Sequence, residues 1–101
     1  MTKADIVSSI SDQLGIDKTD VQATVEKFMN EIKNSLENGE NVYLRGFGSF
    51  IIKTRAEKTG RNISKNVAVK IPAHNIPAFK PAKVFVNGVK SKVEVAETNQ
   101  S

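Results

Sequence analysis

The stretch from Arg45 to Ala73, RGFGSFIIKTRAEKTGRNISKNVAVKIPA, sets the tightest limit on what this chain can fold into. Its pattern predicts a strand, a glycine turn, a second strand, a polar tip marked by glycine, and a returning strand. Beyond Ile52 this ribbon carries too little apolar surface to form a core of its own. It holds Lys53, Arg55, Lys58, Arg61, Lys65 and Lys70 against one acid, Glu57. A cationic ribbon that cannot stabilise itself needs a partner to lie against, and its charge selects a polyanion. Nucleic acid is the expected partner.

The rest of the chain sharpens that contrast. The net charge of +4 hides a segregated distribution. From Met1 to Leu44 the balance is −4, from Arg45 to Lys92 it is +10, and the tail from Val93 adds −2. Any charge run can be simply a solvated face, but here the basic excess covers half the chain almost without acids. Such a field concentrates a polyanion and speeds encounter with it. At 101 residues the chain is one small domain, and a monomer whose ribbon projects from it would be marginal, so oligomerisation is expected. The absence of cysteine excludes disulfides, thiolate metal sites and thiol nucleophiles. The start, MTKADIVSSI, lacks the apolar core of a secretory signal, and no apolar run is long enough to span a membrane. These features predict a soluble, intracellular protein without cofactor, metal or small-molecule substrate.

Two helices are predicted first. Thr2 can cap one, with Asp5 three residues on and Ile6, Val7, Ile10 and Leu14 at helical spacing before Gly15. Asp17 is placed to cap the second, whose apolar stripe is Val21, Val25, Phe28, Met29, Ile32 and Leu36, stopped by Asn38-Gly39. They form an antiparallel hairpin whose stripe reads as core and dimer interface. Asn41 to Arg45 is a strand with Tyr43 and Arg45 on one face, and Gly46-Phe47-Gly48 is a turn. The second strand starts at Ser49 and is expected to run unbroken into the arm, with Lys53, Arg55 and Glu57 on one face. Gly60 to Asn66 is the tip, Val67, Val69 and Ile71 alternate along the return, and Pro72 marks the expected end of regular pairing. Asn75 to Lys80 is extended, with Phe79 in the core. Pro81 suits the start of a short last helix anchored by Val84 or Phe85 with Val89. The fold class is α+β: a helical-hairpin base, a three-stranded antiparallel sheet extended into a β-ribbon arm at about 54–74, and a short C-terminal helix. The domain is expected over 1–93, with a frayed polar tail over 94–101.

Other sites are weaker. Gly46-Phe47-Gly48 lacks the GK[ST] ending and following helix of a phosphate-binding loop, so it reads as a structural turn. His74, the only histidine, can anchor no triad or multi-histidine metal site, and its default reading is structural. Asn62-Ile63-Ser64 matches the N-glycosylation pattern, but nothing directs the chain to secretion. The acids of the helices stand without a base, nucleophile or metal-ligand cluster beside them, which argues against an enzyme. An RNA-binding module would stack bases on exposed aromatics, and the chain has one tyrosine and no tryptophan.

The combination GFGSF, RAEKTGRN and IPAHNIPAFKP resembles the bacterial histone-like DNA-binding proteins of the HU/IHF family, without gaps from Met1 to about Lys90. That family is itself one from which minor-groove architectural binding is known. The resemblance implies an intertwined dimer whose two arms wrap DNA along the minor groove and bend it. It implies that Arg55, Lys58 and Arg61 touch phosphates and groove, with Asn62 and Ile63 at a tip that enters the base stack. Lys3, Lys80 and Lys83 match body positions that meet the DNA flanks, while Phe47, Phe50 and Phe79 match the aromatic core below. With Arg45, Gly46, Lys53, Lys65 and Lys70 these complete the expected DNA-binding set. The chain departs from the family pattern at the tip, where Ile63 stands for the usual proline and Asn66 for the usual glycine. Isoleucine offers at least comparable apolar surface with more side-chain freedom, and Asn66 tolerates the left-handed conformation. Val86 replaces a commonly basic residue.

The leading expectation is an HU-like, cytoplasmic, nucleoid-associated dimer that bends or compacts double-stranded DNA with little sequence preference. An IHF-like, sequence-preferring bender, working as a heterodimer, is the alternative.

Overall fold

A computed structural model describes residues 1–62 and 67–95. The order is α1 (Lys3–Leu14), α2 (Lys18–Glu37), β1 (Val42–Leu44), β2 (Gly48–Arg55), β3 (Lys58–Asn62), β4 (Val67–Ile71), β5 (His74–Pro81) and α3 (Lys83–Lys92). The fold is α+β, as the sequence predicts. Expectations for Ile63, Ser64, Lys65 and Asn66, and for the tail from residue 96, fall outside the described residues.

Local chemistry sets the helix ends. Thr2 forms a reciprocal capping box, its Oγ1 accepting from the Asp5 N–H at 3.2 Å while Asp5 Oδ2 accepts from the Thr2 N–H at 2.9 Å. Gly15 closes α1 in the left-handed conformation at φ 67°. Asp17 stands at the N-cap of α2 but its side chain makes no capping hydrogen bond. What remains of its expected role is a negative charge at the positive end of the helix. Asn38 ends α2 by donating both its backbone N–H and its side-chain Nδ2 to Asn34 O.

The strands form two separate antiparallel ribbons. β2 lies between β1 and β5, pairing Tyr43 with Ser49 and, on its other side, Ser49 with Lys80 through Arg55 with His74. β3 and β4 pair from Lys58–Ile71 to Asn62–Val67. One expectation is corrected here. The second strand does not run unbroken into the arm, because Ala56 and Glu57 leave the ladder between β2 and β3. Pro72 does end the pairing of the return strand β4, as expected, and beyond Ala73 the chain pairs again from His74 as the third strand of the body sheet. Proline has no N–H to donate, so a ladder bond is lost there whatever the partner strand does.

The start of α3 also differs from expectation. Pro81 is the last residue of β5, opposite Gly48, and Ala82 is the N-cap. The Ala82 N–H donates to Phe47 O at 2.9 Å, holding this segment extended against the glycine turn until Lys83.

The body sheet separates its residues by side. Val42, Phe50 and Phe79 lie in register on one face, and Tyr43, Ser49 and Lys80 on the other. On the apolar side Phe79 meets Phe50 at 4.9 Å and Phe47 at 5.1 Å between ring centroids, and Phe47 stacks on Phe85 of α3 at 5.5 Å. This cluster is not an enclosed core. Phe79, expected to be buried, is 39% exposed, and Phe28 of α2 is 50% exposed. Among the described residues only Val7 of α1 and Val21 of α2 are buried apolar side chains. The radius of gyration is 19.4 Å, against about 13 Å for a compact chain of this size. One copy therefore supplies apolar faces without enclosing them.

Candidate nucleic-acid interface

The polar face of the body sheet carries a basic cleft of about 380 Å³. It is built where the glycine turn, the end of β5 and the start of α3 meet. Arg45, Gly46, Lys80 and Lys83, spread over 39 positions of sequence, line it together. Close packing makes this possible: Gly48 lies so near β5 that an added β-carbon would fall 2.6 Å from the Lys80 carbonyl oxygen. Tyr43 and Ser49 line the same cleft and add two hydroxyl groups. Neither is among the predicted binding residues, although the strand expected over Asn41–Arg45 puts Tyr43 on the side of Arg45.

The same face continues along β2 and β5. Ser49, Ile51, Lys53 and Arg55 alternate along one strand, opposite Lys80, Ala78, Ile76 and His74 of the other. Six residues of strand separate Ser49 from Arg55, a span of about 20 Å. At the far end is a second cleft, of about 340 Å³, lined by Arg55, Ala56, Lys58, Ile71, His74 and Ile76. Arg55 and Lys58, predicted as arm contacts, are thus brought together across the interruption between the ribbons.

The arm distributes its cations over two faces. Lys58 shares one with Ile71, Val69 and Val67, whose side chains are all exposed, while Arg61 and Lys70 share the other with Thr59 and Ala68. Glu57 does not continue the Lys53–Arg55 row. It lies beyond the end of β2, where its Oε2 accepts from Lys70 Nζ at 3.1 Å. Lys3 stands apart, in the first turn of α1, donating to Glu26 Oε2 at 2.8 Å. The hydrogen bond from Lys3, followed by one from Gln22, holds the Glu26 carboxyl below its usual range. Ile63 and Lys65 lie outside the described residues, and for Asn62 only the backbone is described. No group of three or more acidic, histidine or cysteine side chains that could hold a metal occurs among the described residues. No described helix is long and apolar enough to cross a membrane.

Two basic clefts joined by one sheet face, continued by a cationic ribbon, form a surface suited to a long anion. The model of the family described as bacterial DNA-binding protein matches residues 1–90. This chain belongs to that family. Within the bacterial DNA-binding protein family it is 37% identical over 92 residues to the SPbeta prophage-derived DNA-binding protein HU 2 of Bacillus subtilis, covering 91% of this chain and 100% of that protein. It is 39% identical over 97 residues to the integration host factor subunit alpha of Idiomarina loihiensis, covering 96% and 95%. Among solved structures, the Anabaena HU–DNA cocrystal structure superposes with a TM-score of 0.82 at 30% identity, covering 93% of this chain and all of that one. HU from Thermotoga maritima aligns with a TM-score of 0.62 at 26% identity, covering 88% and 98%. The HU/IHF resemblance read from GFGSF, RAEKTGRN and IPAHNIPAFKP holds over residues 1–90.

Proposed function

We propose that the chain works as a two-fold, intertwined dimer that binds double-stranded DNA through the minor groove with little sequence preference and bends or compacts it. The observation that carries this reading is the pair of basic clefts, Arg45–Lys80–Lys83 and Arg55–Lys58, set at the two ends of one sheet face with Lys53 between them. Phosphate contacts of this kind position a protein without reading bases. The uncovered phenylalanine cluster and the exposed Phe28 and Met29 supply the apolar surface that a second copy would cover. Binding of this kind involves no catalysis, and proteins of the family are not enzymes.

In this reading Arg45, Gly46, Lys80 and Lys83 hold the flank that crosses the body, joined by Lys3 of α1. Lys53, Arg55, Lys58, Arg61, Lys65 and Lys70 clamp the duplex along the arm, and Asn62 and Ile63 form the tip, with Ile63 as the apolar wedge. HU and IHF are among the proteins from which such wedges are known, and unstacking a step costs a few kcal/mol, offset as bent DNA meets more of the body. The domain spans 1–93 with its arm at about 54–74, and the protein acts in the cytoplasm on the nucleoid.

Binding to random, nicked and intact duplexes across a salt series tests the reading. With roughly 6–10 phosphates engaged, affinity should fall about 10³–10⁵-fold between 50 and 200 mM salt. Nicked or kinked DNA should bind more tightly than straight DNA, because part of its deformation is already made. Equal affinity for both would remove the bending part of the proposal. The comparable identity to an integration host factor subunit supports a sequence-preferring alternative. A footprint at one site that survives a large excess of random competitor would select it.

A further inference from the structure

The cleft at the root of the arm contains a residue that the basic ribbon alone does not explain. His74 opens β5 directly opposite Arg55, on the face that also carries Lys53. It lines the same cleft as Arg55 and Lys58, on the exposed side of the protein. Its Nδ1 lies 3.0 Å from the carbonyl oxygen of Pro72. A carbonyl oxygen only accepts, so Nδ1 carries the proton and the neutral ring leaves Nε2 as a bare lone pair. Toward an anion that lone pair is repulsive. Protonation converts it to an N–H donor bearing charge and leaves the Pro72 contact intact.

The surroundings favour an anion here. To this cleft β2 presents Arg55, with Lys53 farther along the same face, β3 presents Lys58, and β4 contributes Ile71. Among the described residues Arg55 and Lys58 have no ion-pair partner, and the arm's single acid, Glu57, is engaged with Lys70. Three nitrogen-bearing side chains therefore converge on a cleft where no carboxylate competes for them.

We propose that Arg55, Lys58 and His74 form a single backbone-phosphate site at the root of the arm, and that protonation of His74 tightens the grip on DNA. This rests on the duplex-binding reading above. With a phosphate seated among the three side chains, the protonated ring gains a charge-assisted hydrogen bond. DNA binding and proton uptake are thus coupled.

The sole histidine makes the test clean, since between pH 7.0 and 5.5 no other side-chain type has its ordinary titration range centred there. Affinity for a random duplex is measured at both pH values across a salt series, for the wild-type chain and for His74→Gln. The wild type should bind about tenfold more tightly at pH 5.5, with a salt slope steeper by about one to two units for the two protomers. His74→Gln should show neither the gain in affinity at the lower pH nor the steeper salt slope. Calorimetry in two buffers of different ionisation enthalpy should report net proton uptake on binding, absent in the variant. Wild-type binding that is indifferent to pH, or a pH response retained in His74→Gln, overturns the inference and leaves the duplex-binding reading standing. Failure to bind duplex at either pH overturns both.

Discussion

Gly48 and Lys80 are in van der Waals contact through their backbones, and nothing larger than hydrogen fits between them. A β-carbon at position 48 would lie 2.6 Å from the Lys80 carbonyl oxygen and 2.7 Å from the Phe79 ring. The contact locks β5, and with it Lys80, against the glycine turn that carries Arg45. Gly48→Ala should lower stability by about 1–3 kcal/mol, read as a shift in the urea midpoint. It should also weaken DNA binding, because the backbone bearing Lys80 must move.

Glu57 restrains the arm's positive charge by pairing with Lys70. Glu57→Gln should release that lysine, raising affinity for random duplex about three- to tenfold per dimer at moderate salt and steepening the salt dependence by about one to two units. Fluorescence anisotropy across a salt series measures both. An unchanged slope would mean that Lys70 does not reach phosphate.

The Lys3–Glu26 pair gives stability a dependence on acid pH. Glu26 sits below its ordinary value of 4.5 because Lys3, and secondarily Gln22, hydrogen-bonds its charged form. A carboxyl with a depressed folded-state pKa contributes stability that is fully present above its unfolded value and lost as pH falls through the folded one. The difference in urea midpoint between wild type and Glu26→Gln should therefore be constant from pH 7 to about 5 and shrink towards zero below Glu26's lowered pKa. Both groups are substantially exposed, so salt should shrink it too.

A second copy should cover Phe28. If folding and dimerisation are linked, a hundredfold rise in protein concentration adds about 2.7 kcal/mol to the stability of the dimer. Thermal unfolding at 1 and 100 µM should show the midpoint rising. Phe28→Glu should abolish that rise and give a monomer by sedimentation.

Ile63 and Arg61 should separate when replaced by alanine. Loss of the wedge at Ile63 should reduce the bend angle, measured by energy transfer between duplex ends, with little change in salt slope. Arg61→Ala should flatten the slope by about one unit for each phosphate that the arginine neutralises. An unaltered bend in Ile63→Ala would show that the tip does not enter the base stack.

Much of this molecule is written in local patterns. The Thr2–Asp5 box, the Gly15 stop and the two-residue alternation of Val42 to Leu44 each follow from interactions within a few residues. So does the placing of lysines and arginines on a ribbon without a core. What local pattern does not carry is register across the sheet. That Arg55 faces His74, and that Arg45 meets Lys80 and Lys83, depends on how strands distant in sequence align. His74 reads as a loop residue because Pro72 breaks the pattern just before it, and nothing local says that pairing resumes. Pro81 suits a helix start for a similar reason: its pairing with Gly48 and the Ala82 bond to Phe47 are long-range facts.

The two residues that leave the ladder on each strand, Ala56 and Glu57 against Pro72 and Ala73, also set how the protein and its ligand divide mechanical work. Among the described residues no interstrand ladder bond crosses this gap, so changing the angle between the ribbons ruptures none. Duplex DNA resists bending over a persistence length of about 50 nm. Two elastic elements in series share a load according to their compliance, and the softer one moves more. On the DNA-binding reading proposed above, a root without ladder bonds lets the arm follow differently shaped grooves before the duplex has to yield.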